Sequence, residues 1–360
     1  RDRLRSRGLG DVYKRQNVGQ TSNKGVEIAL QGVLVKTRDW NVTAGFNINF
    51  NRGKVDKLAD NVTGLYGTEW ATSSTFPKSD YVLKEGRPVG LVRGLTADGF
   101  YTTDDFTYEN GVYTLKKGVA DVSSAVFPNY HLHNGINERP AGQLAYPGMA
   151  KFKDLNDDGI INDDDVDVIG DMTPVHTGGF NINATYKNFD LGLYFNWSYG
   201  NEIYNVNKLA ALYGYKEGAV YENKLSIVKD CYKIYDVVNG ELVALTTLEQ
   251  LNAANANAKL PLAYSENGYV STLGIEDGSY LRLNTLTLGY TLPKSILQKA
   301  GISNLRVYGS IYNVFTITGY SGIDAEVSTS TSTKTYPQLG MDWGTYPRAR
   351  SFVLGVNLSF

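Results

Sequence analysis

The sequence predicts an all-β fold: an antiparallel transmembrane β-barrel wall with long loops at one rim. Three observations carry this expectation. Long segments alternate strictly between apolar and polar residues, the pattern of strands with one face of each kind. These segments reach about ten residues, the length a tilted strand needs to cross the hydrocarbon layer. Their connections are alternately short and long, as in barrels with tight turns at one rim and extended loops at the other. A soluble sandwich also alternates. Strand length, flanking aromatics and the lopsided connections therefore argue for lipid.

Composition sets the bounds. The 360 residues include 38 Gly and 26 Tyr, against 13 Phe and 4 Trp, which suits strands, turns and amphipathic surfaces. A formal net charge of −2 implies no broad attraction to nucleic acid, and no nucleic-acid partner is expected. No apolar run approaches the ~18 residues that a membrane-spanning helix requires. A single cysteine, Cys231, excludes an intramolecular disulfide framework and a multi-Cys zinc site. Residues Arg1 to Gln16 are basic, lack an apolar core and stand outside the periodic pattern. They read as a non-native scar or disordered tail, so the fold is expected over 17–360.

Taken in order, Val26, Ile28 and Leu30 open the alternation, and Trp40, Val42, Ala44, Phe46, Ile48 and Phe50 continue it after a polar turn at Lys36–Asp39. The pair reads as a hairpin. A long connection, Gly53–Val175, follows. Phe180, Ile182, Ala184 and Tyr186, then Leu191, Leu193, Phe195, Trp197 and Tyr199, form a second hairpin turning at Lys187–Asn188. The excursion Gly200–Asp277 is far longer than an ordinary connection, with helical turns expected near Ile203–Tyr213 and Thr247–Ala258. Leu286, Leu288, Tyr290 and Leu292 resume the pattern, with Leu281 and Leu283 out of phase, so a bulge is expected near Asn284. Pro293–Ser303 is a compact connector, and Leu305–Ile317 climbs back. A third long connection, Thr318–Tyr346, precedes the last strand, Phe352 to Phe360. Trp40, Phe50, Tyr186, Trp197, Tyr199 and Tyr290 flank the apolar runs, where interfacial girdles belong. Seven crossings are expected, an odd number that should not close alone as a single-chain bacterial barrel. The chain is thus expected to be the C-terminal part of a larger barrel.

Within the first long connection lies Asp154-Leu-Asn-Asp-Asp158-Gly159-Ile160-Ile161-Asn162-Asp-Asp-Asp165. Oxygen side chains occupy positions one, three, five, nine and twelve, with Gly159 at six and apolar Ile161 at eight, the spacing of an EF-hand-type calcium loop. Asp154, Asn156, Asp158, the Ile160 carbonyl, Asn162 and Asp165 are the expected ligands. Asp165 replaces the usual Glu and has a shorter reach for bidentate ligation. The expected cofactor is structural calcium, held weakly as in extracellular modules.

Several stretches resemble the SusC/RagA-like TonB-linked outer-membrane proteins. They are Asn23-Lys24-Gly25-Val26-Glu27, Gly86-Arg-Pro-Val-Gly90 with Asp98-Gly99, Lys153-Asp154 through Gly159, and Gly200-Asn201-Glu-Ile-Tyr204-Asn205. Asp277-Gly-Ser-Tyr-Leu-Arg282-Leu-Asn284, Asn313-Val-Phe-Thr316 through Asp324-Ala-Glu326, and Tyr346-Pro347-Arg348 to Phe360 complete the collinear set. Ala325 stands where the family usually has Pro. The resemblance implies a barrel of about twenty-two strands, plugged by an N-terminal domain, in the bacterial outer membrane. It further implies import of oligosaccharides, or in some branches peptides, under a surface lipoprotein of the SusD type, driven by the TonB complex. Neither plug nor TonB box is found here, so this stretch alone is not expected to transport. The terminal alternation, Phe352, Leu354, Val356, Leu358 and Phe360, resembles the strand that the barrel-assembly machinery reads by strand addition.

Other constellations are weaker. His131 and His133 could ligate a metal from one strand but lack a fixed third partner. Asp104 and Asp105 could act as a glycosidase pair, though loop acidity explains them. No nucleophile motif accompanies them, and no enzyme activity is expected. Tyr199, Tyr204, Tyr213, Tyr215, Tyr221 and Trp343 could stack on sugar rings or face a protein partner. The rival fold is a secreted calcium-dependent glycan-binding β-sandwich, and a calcium-requiring glycan hydrolase is a third reading.

Overall fold

The computed structural model describes residues 19–60, 62–72, 75–127, 139–213, 225–263, 268–297, 301–327 and 339–360. Arg1–Gln16, His131, His133, Tyr215 and Tyr221 lie outside them, as does the Tyr213 side chain. Seven long strands form one antiparallel sheet in chain order: β1 (Gly19–Lys36), β2 (Trp40–Leu58), β3 (His176–Tyr186), β4 (Phe189–Tyr199), β5 (Tyr280–Thr291), β6 (Asn304–Thr318) and β7 (Ser351–Ser359). Every neighbour in the sheet is a neighbour in sequence, the meander of an up-and-down barrel wall. The outer edges belong to β1 and β7, which do not pair with each other.

Alternation is carried across the sheet by register. Phe46 pairs with Leu30 on one side and Phe180 on the other, and Phe180 with Phe195. Leu193 pairs with Leu286, Leu286 with Ile311 and Ile311 with Phe352. One face is therefore continuously apolar, and it carries Val26, Ile28, Leu30, Leu288, Val307, Leu354 and Val356 among the exposed large hydrophobics. A soluble protein rarely leaves so broad an apolar surface uncovered. No second sheet covers it among the described residues, which removes the sandwich reading.

Aromatics gather at both ends of this face. At the short-turn rim Trp40 lies 4.4 Å from Tyr186, and Phe189 lies 4.7 Å from Tyr290. Near the long-loop rim His176 stacks on Tyr199 at 5.0 Å and Phe50 approaches His176 at 5.5 Å. The ten steps from His176 to Tyr186 rise about 33 Å along the strand, or roughly 25 Å at a barrel's tilt, the height of a lipid-facing band. Phe189 joins the lower belt although the periodicity did not single it out.

The opposite face is polar. Asn47, Asn49, Asn181, Asn183, Tyr194, Thr285, Thr287, Ser310 and Tyr312 alternate with the apolar set. Arg306 on β6 makes a two-bond fork to Asp190 on β4 across the intervening β5. Gly289 permits this: a Cβ there would sit about 2.4–2.6 Å from the Asp190 and Arg306 side chains. At the expected bulge Asn284 is left out of both ladders, and its amide instead donates to Asn196 at 2.6 Å.

The long connections differ from the sequence expectation. β2 runs on to Leu58 rather than ending near Arg52, because Thr21 to Gly19 of β1 still offer a partner. Beyond it, the three connections fold together into one lobe. Its core joins Val92, Leu95, Tyr101, Tyr113, Tyr146, Phe152 and Ile161 to Tyr204, Leu209, Leu212, Leu251, Tyr269 and Met341. Within it lie the antiparallel strands Leu65–Gly67, Tyr81–Leu83, Leu91–Leu95 and Val166–Asp171. Two helices, α1 (Val206–Tyr213) and α2 (Leu248–Asn255), stand near the expected turns, α2 being started by a Thr247–Gln250 capping box. No helix among the described residues is long and apolar enough to cross a membrane.

Candidate functional site

The lobe is held by two polar devices. The first is Asp80, fully buried, whose Oδ1 accepts the Glu69 N–H at 2.8 Å and whose Oδ2 accepts those of Trp70 at 2.8 Å and Ala71 at 3.0 Å. Burial pushes its carboxyl up from the usual value, against the pull of these hydrogen bonds. The second is an ionic network at the root of the lobe. Arg282 on β5 pairs with buried Asp324 and, at 3.3 Å, with Glu326; Arg348 pairs with Glu326 at 2.9 Å and lies 3.7 Å from Asp324. Asp324 also accepts the Glu326 N–H at 2.9 Å, so the turn around buried Ala325 is closed by a side chain. Three stretches noted for family resemblance meet here. Their spacing alone suggested no such network.

The acidic loop folds as a compact turn closed by its own side chains. Asp154 accepts the Asp158 N–H at 3.3 Å and the Gly159 N–H at 2.7 Å. Asn156 donates to Asp158 at 3.0 Å, and Asn162 donates to the Ile160 carbonyl at 3.2 Å. Asp157 and Gly159 take positive φ, at 58° and 86°, which turns the chain sharply. Asp165 is fully buried and spans the loop's ends, accepting the Leu155 N–H at 2.7 Å and the Asn162 N–H at 2.8 Å. Among the described residues no group of three His, Cys, Asp or Glu is placed to hold a metal. The ligands expected from the spacing are three Asp, two Asn and a carbonyl, all hard oxygen. Six carboxylates crowd 154–165, yet no Lys or Arg forms an ion pair with any of them among the described residues.

Other candidate residues are placed as follows. Tyr204 is fully buried, with its phenol pushed well up by burial, so it packs the lobe and cannot stack on a ligand from solvent. Tyr199 and Trp343 remain exposed. Asp105 pairs with Lys151 at 2.7 Å and accepts the Thr102 N–H at 2.8 Å, the work of a loop acid. Burial raises the Tyr113 phenol to about 12 and the Cys231 thiol to about 11, so both stay protonated at neutral pH. In the terminal strand Phe352, Leu354, Val356, Leu358 and Phe360 all point into exposed surface beside the open edge.

A lipid-facing sheet with aromatic belts and a folded lobe at one rim defines the wall of an outer-membrane β-barrel. No family model matches the chain. It is 29% identical over 350 residues to the TonB-dependent receptor P3 of Formosa agariphila, spanning 96% of this chain and 29% of the relative. To the TonB-dependent receptor SusC of Bacteroides thetaiotaomicron it is 26% identical over 348 residues, spanning 96% and 27%. In fold it is similar to the RagAB peptide transporter, with a TM-score of 0.62 at 22% identity, over 96% of this chain and 30% of that one. The chain thus spans less than a third of each relative's length. Over that span it is similar to SusC/RagA-like TonB-dependent receptors, which are proteins of the bacterial outer membrane.

Proposed function

We propose that this chain is the lobe-bearing wall of an outer-membrane importer of oligosaccharides, or of peptides, that works beneath a SusD-type surface lipoprotein and draws energy through TonB. The observation that supports this most is the two-faced sheet: a lipid-facing apolar side, a polar side suited to a lumen, and a folded lobe at one rim. In this reading the lobe is extracellular and meets the lipoprotein, and the missing barrel strands complete both edges. Recognition of the β7 edge by the assembly machinery would use Phe352 to Phe360. A strain deleted for the intact receptor should lose uptake of one glycan or peptide pool and regain it with the whole gene. A gene lacking the codon for Phe360 serves as the assembly-defective control. Unchanged uptake after deletion would overturn the importer reading.

Calcium fits this reading as a clasp on the lobe. Asp154, Asn156, Asp158, the Ile160 carbonyl and Asn162 would hold the ion. Asp165 would add only the lone pairs left by its two backbone hydrogen bonds. The unpaired negative charge of the loop supports a cation there. Calorimetry on the intact receptor should show calcium binding with a Kd on the order of 10⁻⁴–10⁻³ M. Asp154→Ala with Asp158→Ala should abolish it and speed hydrogen exchange in 154–165, leaving the sheet protected. Retained calcium affinity in that variant would refute the ligand set.

A further inference from the structure

On the lobe side of the apolar band, the lipid-facing side of β1 and β2 turns basic. Val26 stands opposite Phe50, Lys24 opposite Arg52 and Ser22 opposite Lys54, all on the face that carries Ile28 and Ile48. From Trp40 to Arg52 the strand rises about 40 Å, or roughly 30 Å at a barrel's tilt, the thickness of the hydrocarbon layer. Lys24 and Arg52 therefore sit where hydrocarbon gives way to headgroups. Lys54 lies about 5 Å further out.

Little within the chain neutralises these cations. Lys24 and Arg52 are exposed, and neither has a carboxylate partner among the described residues. Arg52 donates one Nη N–H to the Pro174 carbonyl at 2.7 Å, which steers the guanidinium along the rim toward β3 and leaves further donors for a ligand. Lys54 lies 3.6 Å from Asp56 yet remains 56% exposed, and Asp56 also accepts the Ser22 hydroxyl at 2.9 Å. His176, in the belt below, accepts the Trp197 indole N–H at Nδ1 and in that form adds no cation. Like charges directly opposite on a sheet are destabilising, so the Lys24–Arg52 pair carries a cost that a bound anion removes. Three cations less one carboxylate leave a local charge of +2.

We propose that this rim patch binds the phosphate monoester headgroup of a membrane lipid, with Lys24, Arg52 and Lys54 donating to its oxygens. Such binding lies beyond the importer reading and does not depend on it. Position selects a lipid over a soluble anion: its acyl chains continue down the apolar face over exposed Phe50, Val26 and Ile28, so tail burial adds to the ion pairing. Charge selects the headgroup. A phosphate monoester carries about −1.5 to −2 at neutral pH and matches the patch. A phosphodiester brings a single negative charge, and a choline headgroup cancels even that. Arg52 meets phosphate oxygens with parallel N–H donors, and the two lysines act as point charges. Arg52 and Lys54 lie on β2, which is paired on both sides, so most of the patch is independent of what pairs with the β1 edge.

The test is native mass spectrometry on the intact receptor in detergent, titrated with dioleoyl phosphatidic acid, phosphatidylglycerol or phosphatidylcholine, with inorganic phosphate as competitor. Phosphatidic acid should bind in preference to the other two lipids, and equimolar phosphate should not displace it. Lys24→Gln, Arg52→Gln and Lys54→Gln together should weaken that binding about a hundredfold. All three side chains are exposed, so the variant should assemble normally. Lys117→Gln, Lys229→Gln and Lys233→Gln remove the same charge from exposed positions on the lobe and should leave the binding unchanged. No preference for phosphatidic acid, displacement by free phosphate, no loss in the rim variant, or equal loss in both triple variants overturns the site. Uptake is read separately, so the importer reading stands or falls on its own experiment.

Discussion

Arg282→Ala in the intact receptor should destabilise the root of the lobe by about 3–5 kcal/mol, the usual consequence of stripping one partner from a buried ion pair. Arg282 and Asp324 are 4% and 7% exposed, so water cannot replace the lost guanidinium. Arg348 offers a poor substitute, since it is 46% exposed and lies 3.7 Å from Asp324. Arg348→Ala should therefore cost no more than about 1 kcal/mol, as expected of a solvent-screened pair. Hydrogen exchange over 316–327 and 345–350 reads the difference. Arg282→Met combined with Asp324→Leu should recover part of the loss, because no charge is then left buried alone. Equal exchange rates in the Arg282→Ala and Arg348→Ala receptors would sink the account.

Asp80→Ala should unfold the lobe at lower denaturant while the sheet persists. Three backbone N–H groups lose their acceptor in a buried site, at roughly 1–3 kcal/mol each and not additively, so about 3 kcal/mol or more is expected. The pH dependence has a defined sign. The folded carboxyl titrates above its unfolded value because burial disfavours its charge. The folded lobe therefore takes up a proton more readily than the unfolded chain. The stabilisation linked to that proton is complete below the usual carboxylate value and is lost as pH rises through the raised one. Asp80→Asn cannot titrate, so the stability of the native lobe minus that of this variant should fall across the same window. A difference that rises with pH would contradict the assignment.

The wall of this protein was legible because its information is local. Side chains alternate across a strand with period two, so Phe46, Ile48 and Phe50, or Leu286, Leu288 and Tyr290, declare their common face without knowledge of any neighbour. Even the bulge at Asn284 shows as a slip in phase, and the turn at Lys187–Asn188 shows as a break between two alternating runs. The acidic loop is local too: Asp154 meets its own Gly159 within one turn.

The lobe was not legible in this way. Its strands are short, its core has no period, and burial there depends on which connections meet. Tyr204 reads in sequence like Tyr199, yet one is sealed in the lobe and the other is exposed. The hydroxyl of Tyr81 donates to the Leu339 carbonyl 258 positions away, and Arg282 finds Asp324 across 42. Family resemblance marked those stretches without saying that they touch. Alternation thus chose strands, faces and solvent, because a pleated backbone imposes it residue by residue. Tertiary packing chose the buried carboxylates, because desolvation and pairing arise only where distant segments close on one another.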